Sequence, residues 1–158
     1  MLKKDTLYIC FHKPRNLVGH LISIWTVGKY SHCEFIFNNK VYLANPGGVR
    51  EQPFIRKENF DIYEVVGFNV QEILDFFEIT KGSPYDYPGI FGQLFYFLNV
   101  QDDDKYFCSE WCLNALDYAA DYKLNWRNKK IKEKGYHKFN PQRLYKYLKS
   151  QYFIKEVI

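Results

Sequence analysis

"KYSHCEFIFNNKVYLANPGG" spans residues 29–48, and its alternation sets the fold class. Residues 32–37, "HCEFIF", are dominated by aromatic and β-branched side chains and predict a strand. "NNK" predicts a tight turn. "VYLAN", residues 41–45, returns as the partner strand. "PGG" turns again, and "GVREQPF" is expected to be the third strand of a meander. Strand side chains alternate between faces, so His32 and Glu34 point one way while Ser31 and Cys33 point the other. A carboxylate on the same face can orient an imidazole, fix its tautomer and stabilise the imidazolium. Taken alone, the same residues also describe a core histidine bonded to backbone, with a glutamate on a wet face. Asn45, on the return strand, is a rival partner for the ring.

Working outward, "TLYICF" (residues 6–11) predicts a first strand. Residues 16–27 follow Pro14 and place Leu17, Leu21, Ile24 and Trp25 at helical spacing, with Gly28 as the stop. "FDIYEVV" (60–66) predicts another strand. Residues 69–80 predict a helix capped by Asn69, with Val70, Ile73, Leu74 and Phe77 as its apolar stripe. Pro88 suits the first position of a helix over 88–98. "QDDDK" is a polar loop, and a helix is expected over 107–120. "KLNWRNKKIKEKGYHK" is basic and weakly periodic, which suits an irregular excursion. Asn140 and Pro141 cap and open a closing helix, and "YFIKEVI" ends the chain as a strand or docked tail. With no internal repeat and no Gly/Ser-rich linker, residues 1–158 are read as one α+β domain, with the meander central and helices around it.

Bulk properties narrow the function classes. The chain has 158 residues, 47% hydrophobic and 20% aromatic, enough for a buried core without disulfides or metals. Nothing approaches the roughly 18 consecutive apolar residues of a membrane span, and "MLKKDTLYICF" lacks the features of a signal peptide. A cytoplasmic location is expected. Four cysteines, at 10, 33, 108 and 112, do not form a secreted disulfide ladder and are expected to be reduced. Residues 1–120 carry a net charge of −4 and residues 121–158 one of +8. That basic segment suits contact with an anionic surface, or simply a solvated face. There is no phosphate-cradling glycine loop, dinucleotide fingerprint or dedicated nucleic-acid module, and no cofactor is expected.

"KYFCSEWCLNALDYAA", residues 105–120, puts Cys108 at the opening of a helix. A thiol there faces unsatisfied backbone N–H groups and the positive end of the helix dipole. Both are expected to lower its pKa, and the same N–H groups can hold an oxyanion. Read alone, Cys108 is more simply a small buried hydrophobe. Cys112 shares its helical face, but the i,i+4 spacing is a poor metal signature and no metal is expected. Asp86 reads as a turn or cap residue and Asp102–Asp104 as a solvated loop. His12, His20 and His137 have no partner legible in the sequence.

"YSHCEFIF", "PGGVR", "GSPYDYPG" and "YFCSEWC" occur in an order that resembles permuted papain-fold cysteine hydrolases of the NlpC type. The resemblance extends to the YiiX and YebB group of bacterial and phage proteins and, more distantly, to lecithin–retinol acyltransferase-like enzymes. The likeness spans roughly residues 6–120, and "FNPQRLYKYL" resembles a closing segment of the same group. The resemblance implies a circularly permuted papain-like fold, an antiparallel sheet packed with helices, with Cys108 as nucleophile, His32 as general base and Glu34 as third member. Related acyltransferases place a histidine on the next strand, where this chain has Tyr42, Ala44 and Asn45. The implied activity is a thiol hydrolase, a peptidase or amidase with peptide or peptidoglycan-fragment substrates. A lipid-directed acyltransferase or esterase with the same site and a catalytically silent binding module are the alternatives. Tyr85 or Tyr30 is a candidate second oxyanion donor, and Cys33 is expected to face away and be inert.

Overall fold

The computed structural model describes residues 2–15, 28–84, 107–121 and 139–157. The helices expected over 16–27 and 88–98, the loop 101–105, and Tyr85, Asp86, His20, His137 and the basic excursion over 123–138 lie outside these residues.

Six strands form one antiparallel sheet: β1 Tyr8–His12, β2 His32–Phe37, β3 Lys40–Asn45, β4 Gly48–Pro53, β5 Phe60–Val65 and β6 Ile154–Glu156. Three described helices join it: α1 Val70–Thr80, α2 Cys108–Tyr118 and α3 Pro141–Ser150. The chain is therefore α+β. The strand order is β4-β3-β2-β1-β5-β6, so the meander is not central. It forms one half of the sheet, and β1 lies in the middle between β2 and β5.

Local chemistry explains the turns. Asn38 and Asn39 both have positive φ (46° and 62°), the backbone a two-residue hairpin turn requires and asparagine tolerates. Gly48 has a φ of +83°, and a Cβ there would lie 2.6 Å from the Ser83 carbonyl oxygen. Only glycine lets β4 come this close to the end of α1, where the Val49 N–H donates to that same carbonyl at 2.9 Å.

The two faces of the sheet carry different loads. Phe11, Cys33, Phe35, Tyr42 and Ala44 point to the face covered by helices and pack with Phe77, Trp111, Cys112, Leu116 and Leu144. On the other face Tyr8, Cys10, Ile36, Val41, Leu43 and Ile62 form a smaller cluster, covered in part by Phe54 and Phe60. Trp111 anchors α2: it is fully buried, and its Nε1–H donates to Thr80 Oγ1 on α1 at 2.9 Å. The side chains of Asn69 and Asn140 cap α1 and α3, as expected. Among the described residues no helix is long and apolar enough to cross a membrane.

Candidate functional site

Register builds the site. In the β1–β2 ladder Cys10 lies opposite Glu34, and His12 opposite His32. In the β1–β5 ladder Cys10 lies opposite Ile62, and His12 opposite Phe60. One face of the sheet thus presents a row of three rings, His32, His12 and Phe60, beside a row made of Glu34, Cys10 and Ile62. A cavity of about 460 Å³ opens over this face, lined by His12, His32 and Glu34, with Asn45, Phe54 and Lys57 among its other walls.

Glu34 is the electrostatic centre. It is 5% exposed, and each of its oxygens meets an imidazole: Oε1 lies 3.0 Å from His12 Nε2, and Oε2 lies 3.5 Å from His32 Nε2. Burial alone would raise its pKa, but the hydrogen bonds and charges of the two histidines outweigh burial and hold the carboxyl down at about 2. Glu34 is therefore ionised at neutral pH. An ionised carboxylate only accepts, so the His12 N–H donates. His12 itself is pushed below its ordinary value, chiefly by burial, and is neutral at pH 7.

Cys108 opens α2 on the helix-covered side. His32 is the first residue of β2, where the strand begins; its ring meets Glu34, and it lies near enough to the Cys108 thiol for each to shift the other's proton affinity. The structure thus brings together Cys108, His32 and Glu34, from strand and helix segments some 70 residues apart in sequence. Glu34, rather than Asn45, is the ring's partner. Asn45 lines the cavity, and its Oδ1 is buried without a hydrogen-bond partner.

Three expectations are corrected. Cys108 is not a low-pKa thiol. Its hydrogen bond with Cys33 and its burial push it well above the ordinary value, and the nearby His32 only partly offsets them. The imidazole's pKa tells the complementary story. Burial lowers it, but the charge of a Cys108 thiolate, then hydrogen bonds to Cys108 and Glu34, lift it to about 10. The two shifts are linked, because each group's proton affinity is set in part by the charge of the other.

Cys33 does point away from His32 and Glu34, but not away from Cys108. Alternation turns it to the face where α2 packs. There it interacts with Cys108, and its sulfur lies 3.9 Å from that of Cys112. Nor is Tyr30 an oxyanion donor. Its side chain is fully buried, and its hydroxyl donates to Asp61 Oδ2 at 2.8 Å.

His12 is the residue that sequence reading missed. The predicted first strand stopped at Phe11, one residue short, and nothing in the sequence gives the β1–β2 register that sets His12 beside Glu34. Cys10 Sγ, His12 and Glu34 have donor atoms within 4.8 Å of one another, among the described residues the single such grouping that could span a metal ion. The His12–Glu34 hydrogen bond already accounts for two of the three, and burial keeps the Cys10 thiol protonated. No protein-family model matches the chain, and no curated protein matches it.

Proposed function

We propose that the chain is a thiol hydrolase with Cys108 as nucleophile, His32 as general base and Glu34 as the carboxylate that orients the imidazole and stabilises its charged form. The observation that carries this reading is the convergence of the three side chains, with His32 paired to the Glu34 carboxylate and electrostatically coupled to the Cys108 thiol. The permuted papain-like NlpC-type fold belongs to the same proposal. It is supported by the order histidine strand, then cysteine helix, and by a helix that packs its first turn against that strand.

The reaction follows from who holds the proton. On substrate binding His32 takes the Cys108 proton, and the sulfur attacks an amide carbonyl carbon. The oxyanion meets N–H groups in the first turn of α2, where an α-helix leaves them without intrahelical partners and where Phe107 supplies no side-chain cap. His32 then gives its proton to the leaving nitrogen as the C–N bond breaks, which leaves a thioester. Water attacks the thioester, its proton passes to His32, and the C–S bond breaks to restore the thiol. Glu34 stays ionised throughout and favours each imidazolium stage. A peptide or peptidoglycan-fragment amide is the proposed substrate.

One observation favours the catalytically silent alternative: Cys108 is 4% exposed and its thiol rests protonated. Turnover of peptidoglycan fragments and lipid esters by the unmodified chain, Cys108→Ala and His32→Ala decides between the readings. Folded variants that lose about 10²–10⁴-fold or more fit nucleophilic and acid–base roles. Equal rates in all three proteins, or no turnover with any substrate, sink the hydrolase. Release of free acid rather than transfer to an amine or alcohol separates hydrolase from acyltransferase.

A further inference from the structure

His12 stands outside the three reacting residues, yet it makes the shorter of the two contacts to Glu34. We propose that His12 is a positioning residue, which holds one carboxylate oxygen of Glu34 so that the other stays turned to His32. The proposal rests on the reading of Cys108, His32 and Glu34 as the reacting group.

The geometry fixes His12 on three sides. Phe60 stacks on it nearly parallel, with ring centroids 4.0 Å apart and planes at 15°. His32 lies across the ladder at 4.8 Å and 60°. His12 Nε2 reaches diagonally across the strands to Glu34 Oε1 at 3.0 Å. A ring stacked on one face has little freedom to rotate, so its N–H keeps one direction. Glu34 gains a fixed partner in a buried place, where a carboxylate needs its lone pairs satisfied.

The charge state suits the task. The groups facing His12 are Glu34 and His32 from β2, Cys10 from its own strand, Phe60 from β5 and Lys57 from the loop before it. His32 and Lys57 both oppose a positive charge on His12, and burial opposes it more. A neutral His12 pins the carboxylate by hydrogen bonding without neutralising it. The negative charge of Glu34 is thus left to the His32 imidazolium. A protonated His12 would instead compete for that charge and repel His32.

Two measurements test this. The first is the imidazole ¹⁵N spectrum of the unmodified chain at pH 7. His12 is expected neutral with its proton on Nε2; an imidazolium, or a proton on Nδ1 alone, overturns the proposal. The second is alkylation of Cys108 by iodoacetamide across pH, followed by peptide mass. His12→Phe keeps a flat ring but removes the donor, and is expected to slow labelling at pH 7 roughly tenfold, as a pKa shift of about one unit would, and to shift the pH profile. His12→Gln, which keeps an N–H, is expected to recover most of the rate. A His12→Phe profile that overlays the unmodified protein's overturns the positioning role. His32→Ala is the control: if it also leaves labelling unchanged, the Cys108–His32 reading itself fails. If His12→Phe does not fold, the spectrum of the unmodified chain still decides.

Discussion

Glu34 is a buried carboxylate kept ionised by two imidazoles, and this local balance sets what the site can do. Glu34→Gln keeps the shape but removes the charge that favours imidazolium. The expected result is at least a tenfold fall in Cys108 alkylation at pH 7, with the fold retained, because a shared proton is harder to move when its destination is less stabilised. Labelling that matches the unmodified rate would show that Glu34 merely fills space. Cys108 adds a second expectation. Its thiol is pushed up by Cys33 and burial, so Cys33→Ala removes one of the two causes and is expected to speed alkylation of Cys108. Unchanged kinetics in Cys33→Ala would mean that burial alone sets the thiol.

At the scale of elements, the site depends on α2 being held at one depth against β2. Trp111 does much of this through its indole N–H on Thr80. Thr80→Val removes the acceptor and leaves a buried donor without its partner, at a cost of about 1–3 kcal/mol. Denaturant melts of the two proteins read it, and a change within error would mean that the indole finds another acceptor. The α3 helix offers a smaller, cleaner case. Asn140 Oδ1 accepts from the Arg143 N–H at 2.9 Å, so Asn140→Ala is expected to cost about 1 kcal/mol in the same melt. Both caps and the Asn38–Asn39 turn were legible in the sequence because they obey local rules: a short polar side chain before a helix, and paired residues tolerant of positive φ. The position of β1 was not local. The meander alone suggested a central unit, but a sheet grows wherever an open edge meets an apolar strand, and β1 lies between β2 and β5.

For the whole molecule, acid is the predicted weakness. The carboxyl of Glu34 is held at about 2 against an ordinary value of 4.5. The folded value is depressed, so its stabilisation is complete above 4.5 and is lost as pH falls from there through about 2. For a group this buried, the loss is on the order of 3 kcal/mol. His12 acts in the same direction. Its folded pKa lies below 6.5, so an unfolded chain binds its proton more readily and stability declines as pH falls below that value. Urea midpoints measured from pH 7 down to pH 3 are expected to decline, and Glu34→Gln should flatten the lower part of that slope. Parallel slopes in the two proteins would show that other groups govern acid unfolding.

By itself the sequence determined the α+β class, most strand and helix bounds among the described residues, the helix caps, and the pairing of His32 with Glu34 on one face. Those features follow from periodicity and nearest neighbours. It also singled out Cys108 by its place at a helix start. Only the tertiary structure decided the strand order, the register that sets His12 beside Glu34, and the side of the sheet that α2 covers. From that side came the influence of Cys33 on Cys108, and with it a thiol whose pKa is raised instead of lowered. The reason is that proton affinity depends on burial and on neighbours from other segments, and a linear pattern records neither.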